Sequence, residues 1–321
     1  MCTAISFNSS RHLFSRTLDI ECSYGESVIS TPRAFALKFR HKKALENHYA
    51  ILGVGCVVDN TPLYYDAFNE KGLAMAALNF PGNAVYFEKK VNHVNVASFE
   101  VISFVLSQCA NLSEAINLLR HANITNDSFN SVLPSSPLHW IVADKSGAVT
   151  LESCADGLKI YENPVGVLTN NPPFPYQLGH VSDFMHLDSA PPKNNICPST
   201  ALSYYSKGLG AVGLPGDFSS SSRFIRAAFL KNHTAESITI SNSFHIMDNL
   251  SVPEGAVKVE EGKPFMTLYT SVFDTEACVC YFTTSHSRRI RAVAMSDAIM
   301  NSDTLSTFEM NEEEIIFYIN K

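Results

Sequence analysis

No run of apolar residues in the sequence is long enough to cross a bilayer. The longest, residues 49–58, reaches about half of the roughly 20 residues that a spanning helix needs, and it reads as a buried strand. Basic residues are in short supply: 24 Lys and Arg stand against 31 Asp and Glu, leaving a formal net charge of -7. Proteins that track phosphate backbones gather Lys and Arg on one face, so nucleic acid is excluded as a partner class. Residues 1–12 hold no basic start followed by an apolar stretch, which argues against a secretory signal and for a cytoplasmic protein. Cysteine pattern is missing too. Cys2, Cys22, Cys56, Cys109, Cys154, Cys197, Cys278 and Cys280 follow neither a compact disulfide framework nor paired zinc spacing. Cys278 and Cys280 alternate within an apolar stretch, so both thiols are expected on one face of a strand as core packing, and no metal or cofactor is implied. Four glycines lie between residues 207 and 217, but no Gly-Lys-Ser/Thr follows them. An extended loop is expected there rather than a nucleotide site.

What is present is a large core. The chain has 321 residues, of which 45% are hydrophobic and 17% charged, and no composition shift or repeat marks a boundary, so one domain over 1–321 is expected. Residues 2–7 and 13–18 flank the polar turn 8–11 and predict a hairpin, which brings Arg16 and Asp19 near Cys2. Further strands are predicted at 27–29, 34–39 and 50–58, with a second hairpin over 63–68 and 72–78 that delivers Asn79. The period changes at Ser98, where Phe99, Ile102, Leu106 and Cys109 recur at helical spacing, and Ser113 is placed to cap a second helix. Strands return at 138–143, 148–154 and 166–169, the last followed by Asn170. Helices over 219–231, carrying Arg223, and 235–247 precede strands at 265–272, 277–282 and 290–294. Such blocks predict an α+β protein whose helices cover antiparallel sheets.

Cys2 gives this scaffold a chemical focus. It is small enough for Met1 to be removed behind it, which leaves a thiol and a free α-amine on one residue. An α-amine has an ordinary pKa of about 7.7–8.0 and a thiol about 8.5, so near neutral pH such an amine can serve as the base for its own nucleophile.

The strings Cys2-Thr3-Ala4-Ile5, Arg16-Thr17-Leu18-Asp19, Leu63 to Leu73 (with Tyr64-Tyr65-Asp66), Leu78-Asn79-Phe80-Pro81-Gly82, Leu138-His139-Trp140, Gly166 to Pro172, Gly213 to Asp217 and Ser222-Arg223-Phe224 occur in one order across nearly the whole chain. Together they resemble the choloylglycine hydrolase family, whose best-known members are bile salt hydrolases and penicillin V acylases. The resemblance implies a four-layer αββα sandwich of antiparallel sheets, the N-terminal nucleophile hydrolase fold. It matches Cys2 to the nucleophile and Arg16, Asp19, Asn79, Asn170 and Arg223 to the polar residues around it. The sequence departs from the usual string at Ser15, where Gly is common, and at Thr17, where Asn is common.

Amide hydrolysis needs a strong nucleophile, oxyanion stabilisation and a proton for the departing amine. On this reading Arg16 sets a permanent cation beside the sulfur, and Asp19 holds and orients the α-amine. Asn79 donates to the oxyanion, Asn170 either donates there or positions the ammonium, and Arg223 balances charge. Taken singly, each has an ordinary use: a surface ion pair for Arg16 and Asp19, strand-end turns for the asparagines, helix pairing for Arg223. The set in the family's order outweighs those uses. Penicillin V acylases often carry Tyr where Asn79 stands, so the resemblance favours conjugated bile salts as substrate. It matches Leu18, Val58, Tyr65, Phe129 and Leu133 to an apolar steroid cleft, and it implies a homotetramer contacting through 207–217. The competing readings are an acylase on penicillin V or another N-acyl amide, and a non-catalytic small-molecule binder.

Overall fold

A computed structural model describes residues 1–234, 237–259, 263–310, 313–314 and 316–320 of the chain. The opening strands are β1 (Cys2–Asn8), β2 (His12–Ile20), β3 (Ser27–Thr31), β4 (Ile51–Val58), β5 (Thr61–Asn69), β6 (Ala74–Asn79) and β7 (Val94–Ala97). Helices α1 (Val101–Leu106) and α2 (Leu112–Leu119) follow. Then come β8 (Ala122–Thr125), β9 (Leu138–Asp144), β10 (Gly147–Cys154), β11 (Gly157–Glu162) and β12 (Val167–Leu168). Helices α3 (Phe174–His180), α4 (Ser220–Asn232) and α5 (Ile240–Asp248) precede β13 (Val257–Lys258), β14 (Pro264–Asp274), β15 (Val279–Thr284) and β16 (Arg291–Ala294), and the last elements are α6 (Asp297–Met300) and β17 (Ser306–Glu309).

Two antiparallel sheets carry the core. One runs β12-β1-β2-β14-β15-β16 with β13 beside β14; the other runs β11-β10-β9-β6-β5-β4-β3-β17. Helices α4 and α5 pack on β1, β2, β12 and β14 of the first sheet, and α1 and α2 pack on β5, β6 and β9 of the second. Strands β1 and β12 of one sheet face β6, β9 and β10 of the other, so the layers read αββα, as the family resemblance implies. The alternation of apolar side chains makes this order necessary, since each sheet has two apolar faces to cover. Among the described residues no helix is long and apolar enough to cross a membrane.

Several local expectations change. Residues 34–39 alternate but form no strand; only Leu37 makes a bridge, to Leu45. Their apolar side chains instead cover the outer face of α1, where Phe39 meets Phe104 edge-on at 5.5 Å. The cap of α2 is Asn111, whose side chain accepts from Glu114 N at 3.0 Å, and Ser113 lies inside the helix. Cys278 has φ 55 and precedes β15, so it does not share a strand face with the fully buried Cys280. The helix expected from residue 235 spans Ile240–Asp248, and residues 235 and 236 lie outside the described residues. The short strands β7, β8, β11 and β17 carry too few alternations to stand out in the sequence.

The hairpin that carries Cys2 is pinned at its far end by His12. This ring is 1% exposed, with Nε2 3.0 Å from Ser6 Oγ and Nδ1 2.8 Å from Thr275 Oγ1. Burial, opposed by Asp144 and Asp274, lowers its pKa from 6.5 to about 4. Above pH 6.5 the ring is neutral in both folded and unfolded chains; below it, the unfolded chain takes up a proton that the folded one refuses until about pH 4. The contribution of His12 to stability is therefore lost as pH falls through this window, amounting to roughly 2 kcal/mol at pH 5. Urea unfolding at pH 7 and pH 5 is expected to show a smaller acid loss for His12→Gln than for the parent; equal losses contradict the assignment.

Candidate active site

The register of the first hairpin divides the site between two faces. Cys2 pairs with Leu18, Thr3 with Thr17 and Ala4 with Arg16. Directly paired residues, and residues two apart, share a face, so Cys2, Arg16 and Leu18 point one way and Thr3, Thr17 and Asp19 the other. The first group looks into the space between the sheets, where Cys2 and Leu18 join a core with Leu78 and Ile141 of the second sheet. The second group looks toward α4.

Between the sheets, Arg16 is 2% exposed and spans from the sulfur to a buried carboxylate. Its Nη2 donates to Cys2 Sγ at 3.2 Å and to the Ala77 carbonyl at 3.3 Å. Its Nη1 donates to Asp66 Oδ1 at 3.0 Å and to the Tyr269 hydroxyl, which in turn donates to Asp66 Oδ1. Ser271 Oγ donates to Asp66 Oδ2 at 2.5 Å. Burial opposes the Arg16 charge, yet Tyr269, Cys2 and Asp66 outweigh it and hold its pKa well above the ordinary value. Burial raises the Asp66 carboxyl, with Arg16, Ser271 and Tyr269 acting against it. The guanidinium also lies 5.4 Å from the Tyr269 ring centroid and 6.0 Å from that of Tyr65.

On the helix side, Ser219 caps α4 and Arg223 projects from its first turns to the backbone of Cys2. Arg223, fully buried, donates through Nη1 to the Cys2 carbonyl at 2.6 Å and to Thr3 Oγ1 at 2.5 Å, and through Nη2 to Asn170 Oδ1 at 2.9 Å. Burial lowers its pKa, against the pull of Asp19 and Cys2. Asn170 Oδ1 also accepts from Cys2 N at 2.8 Å, while its Nδ2 donates to the Asn79 carbonyl at 2.7 Å. Arg223 can only donate and a carbonyl can only accept, so these partners fix which way the Asn170 amide faces. Its backbone N–H is held by Ser220 Oγ at 2.7 Å.

The terminal amine in this chain belongs to Met1, which donates to the Asp19 carbonyl at 2.6 Å and accepts from Asp19 N at 3.0 Å. Burial lowers the pKa of that amine, against the pull of Cys2 and Asp19. The Asp19 carboxylate takes Thr267 Oγ1 at 2.6 Å and Thr17 Oγ1 at 3.4 Å. Cys2 N therefore meets Asn170 where the sequence reading put Asp19, because β1 and β2 stay paired one residue beyond Cys2. Thr17 uses its departure from the family string to accept from Thr3 N at 3.2 Å while donating to Asp19.

Asn79 ends β6 with its side chain exposed and its backbone tied to Asn170, so its amide group is open beside the residues that hold Cys2. The structure thus brings Cys2, Arg16, Asp19, Asn170 and Arg223 into one bonded set, with Asn79 attached through its carbonyl. Of the five cleft candidates, Leu18 is buried opposite Cys2, and Tyr65 lies beside Arg16 with its hydroxyl 3.5 Å from Cys56 Sγ. Val58, at the end of β4, and Phe129 and Leu133, in the loop before β9, are half-buried. Phe129 N donates to the Leu133 carbonyl at 3.0 Å. Asp66, Tyr269, Ser271 and Thr267 were not singled out from the sequence. A carboxylate inside the apolar run 63–68 was the available signal for Asp66.

Comparison with known proteins gives a consistent picture. Residues 2–308 match the family of linear amide C–N hydrolases, choloylglycine hydrolase family. The bile salt hydrolase/transferase of Lactiplantibacillus plantarum is 41% identical over 324 residues, covering all of both chains. That of Clostridium perfringens is 32% identical over 329 residues with the same coverage. A crystal structure of a variant conjugated bile acid hydrolase from Clostridium perfringens superposes with a TM-score of 0.93 at 31% identity, covering 99% of this chain and 100% of that one. Penicillin V acylase from Agrobacterium tumefaciens shares the fold, with a TM-score of 0.77 at 19% identity over 99% of this chain and 94% of its own.

Proposed function

We propose that this chain, which belongs to the choloylglycine hydrolase family of linear amide C–N hydrolases, cleaves the amide bond of glycine- or taurine-conjugated bile salts. The observation that carries the reading is the thiol of Cys2 held 3.2 Å from a buried arginine, on a residue whose nitrogen is already engaged by Asn170. Loss of Met1 turns that nitrogen into an α-amine. Cys2 Sγ attacks the amide carbonyl while the amine takes the thiol proton, and the resulting tetrahedral oxyanion receives the N–H of Asn79. The ammonium returns its proton to the departing glycine or taurine nitrogen, leaving a thioester that water hydrolyses with the same amine as base. Arg16 stabilises the negative sulfur. Arg223 and Asn170 fix the Cys2 carbonyl and nitrogen, and Asp19, anchored by Thr267, supplies negative charge near the amine. Since Asn170 Nδ2 is committed to Asn79, positioning the nitrogen suits Asn170 better than oxyanion donation.

Names of the relatives and the side chain of Asn79 support the steroid substrate, with Leu18, Val58, Tyr65, Phe129 and Leu133 as its apolar cleft. One domain carries the whole site, since residues of both sheets and of α4 meet in it. The reading includes a cytoplasmic homotetramer contacting through 207–217, supported by the exposed Val212 in that loop. Purified protein is expected to release glycine from glycocholate or taurine from taurocholate faster than it removes the acyl side chain of penicillin V, and to sediment at four times the chain mass. Turnover of penicillin V alone reverses the substrate assignment, and a monomeric mass removes the tetramer.

A further inference from the structure

Behind the two active-site asparagines lies a buried pair that the chemistry above does not use. His139 of β9 and Glu152 of β10 are both 0% exposed, with His139 Nδ1 3.2 Å from Glu152 Oε1. His139 Nε2 lies 2.8 Å from the carbonyl of Thr169, the residue before Asn170. The ring of His139 stacks on Phe80, the residue after Asn79, with centroids 4.2 Å apart and planes 6° from parallel. In the sheet, His139 also pairs directly with Leu78, the residue before Asn79. Glu152 Oε1 accepts from Phe174 N at 2.8 Å, which ties the segment after Asn170 to the same carboxyl, and Glu152 Oε2 is buried without a partner among the described residues.

The hydrogen-bond inventory is restrictive. A carbonyl only accepts, so Nε2 carries a proton toward Thr169; Nδ1 facing Oε1 then requires one further proton shared between ring and carboxyl. Two buried groups of this kind are costly to desolvate and each is lost without the other. Ordinary packing would be served as well by an apolar pair of the same volume.

We propose that the His139–Glu152 pair is a positioning unit: it locks the segment carrying Asn170 to the segment carrying Asn79 and so sets the distance between the group that orients the Cys2 nitrogen and the oxyanion donor. This rests on the roles proposed above for those asparagines. The carbonyl of Asn79 already receives Asn170 Nδ2, and His139 supplies a second, independent link one residue away on each segment. Small displacements of a donor relative to a nucleophile lower the rate of the chemical step without changing the apolar cleft that binds the steroid.

Two variants separate positioning from packing. A Gln amide nitrogen reaches the place of Nε2 and an Asn amide nitrogen the place of Nδ1. His139→Gln therefore keeps the donor to Thr169 and gives up Glu152, while His139→Asn keeps Glu152 and gives up Thr169. With glycocholate as probe, His139→Asn is expected to lower kcat by about ten-fold or more with KM within about two-fold, as loss of one orienting hydrogen bond predicts. His139→Gln is expected to recover most of that kcat, at a urea midpoint no higher than that of His139→Asn. Equal kcat in both variants, or kcat that follows the urea midpoint, overturns the proposal. Should neither fold, Phe80→Leu decides: it removes the stacked ring that joins His139 to the Asn79 segment and leaves both hydrogen bonds of His139 in place, so kcat is expected to fall at unchanged KM, and an unchanged kcat overturns the proposal. A parent enzyme that cleaves neither glycocholate nor taurocholate contradicts the proposed function instead, and is seen before any variant is compared; taurocholate replaces glycocholate as probe where only it is cleaved.

Discussion

Replacing Cys2 with Ala is expected to leave a folded protein that has lost bile salt turnover by a factor on the order of 10⁴–10⁶, the scale on which removal of an activated nucleophile acts. Alanine is small, so it leaves Met1 removal possible and separates processing from chemistry. It also keeps the β1–β2 pairing, the Cys2-to-Asn170 backbone bond and the Arg223 contact to the carbonyl, all of which use main-chain atoms. What disappears is the one side-chain atom that Arg16 Nη2 meets at the end of its reach. Initial rates with glycocholate, read beside urea midpoints, check the outcome. A Cys2→Ala protein retaining more than about a hundredth of parent kcat, far above the residual expected without a nucleophile, sinks the thioester route.

Asp66 yields the second large effect, on stability as well as rate. It is 0% exposed and accepts from Arg16, Tyr269 and Ser271, so Asp66→Ala leaves three donors stranded and a buried guanidinium without its counter-charge. Breaking one side of a buried pair costs about 3–5 kcal/mol, and a destabilisation of that size dominates the smaller loss of packing. The Arg16→Met/Asp66→Leu double variant removes both charges and is expected to unfold at higher urea than either single replacement while remaining inactive. Asp66→Asn isolates the charge from the shape: Tyr269 and Ala77 still hold Arg16, so the fold survives with kcat lower by about ten-fold or more, the loss of one charged hydrogen bond. Equal urea midpoints for Asp66→Ala and the parent contradict this account of the buried network.

The difference between Arg16 and Asp66 marks how far the sequence could be read. Arg16 lies in the same hairpin as Cys2, and a period of two with a short polar turn is enough to bring them together. Asp66 reaches the site from the other sheet, and its partner Tyr269 stands 203 residues away. No local pattern encodes a contact across two sheets, although a carboxylate in an apolar strand signals that some partner exists. Asn79 and Asn170 were visible as strand-end residues in a family string, but the amide that links them required both sheets to be in place. Residues 34–39 show the converse: a correct alternation covered a helix instead of pairing in a sheet. Thr17, a departure from the family string, accepts from Thr3 N, a contact that only the register of β1 on β2 makes readable.

The central claim is that Met1 leaves and that the Cys2 sulfur then carries the acyl group, with its own nitrogen as base. Intact-mass spectrometry of the purified protein, before and after rapid quenching with glycocholate, tests both parts at once. The account predicts a chain lacking Met1 and, after mixing, a transient species heavier by one cholyl group that is absent from Cys2→Ala. Full hydrolytic activity in a chain that retains Met1 would contradict it.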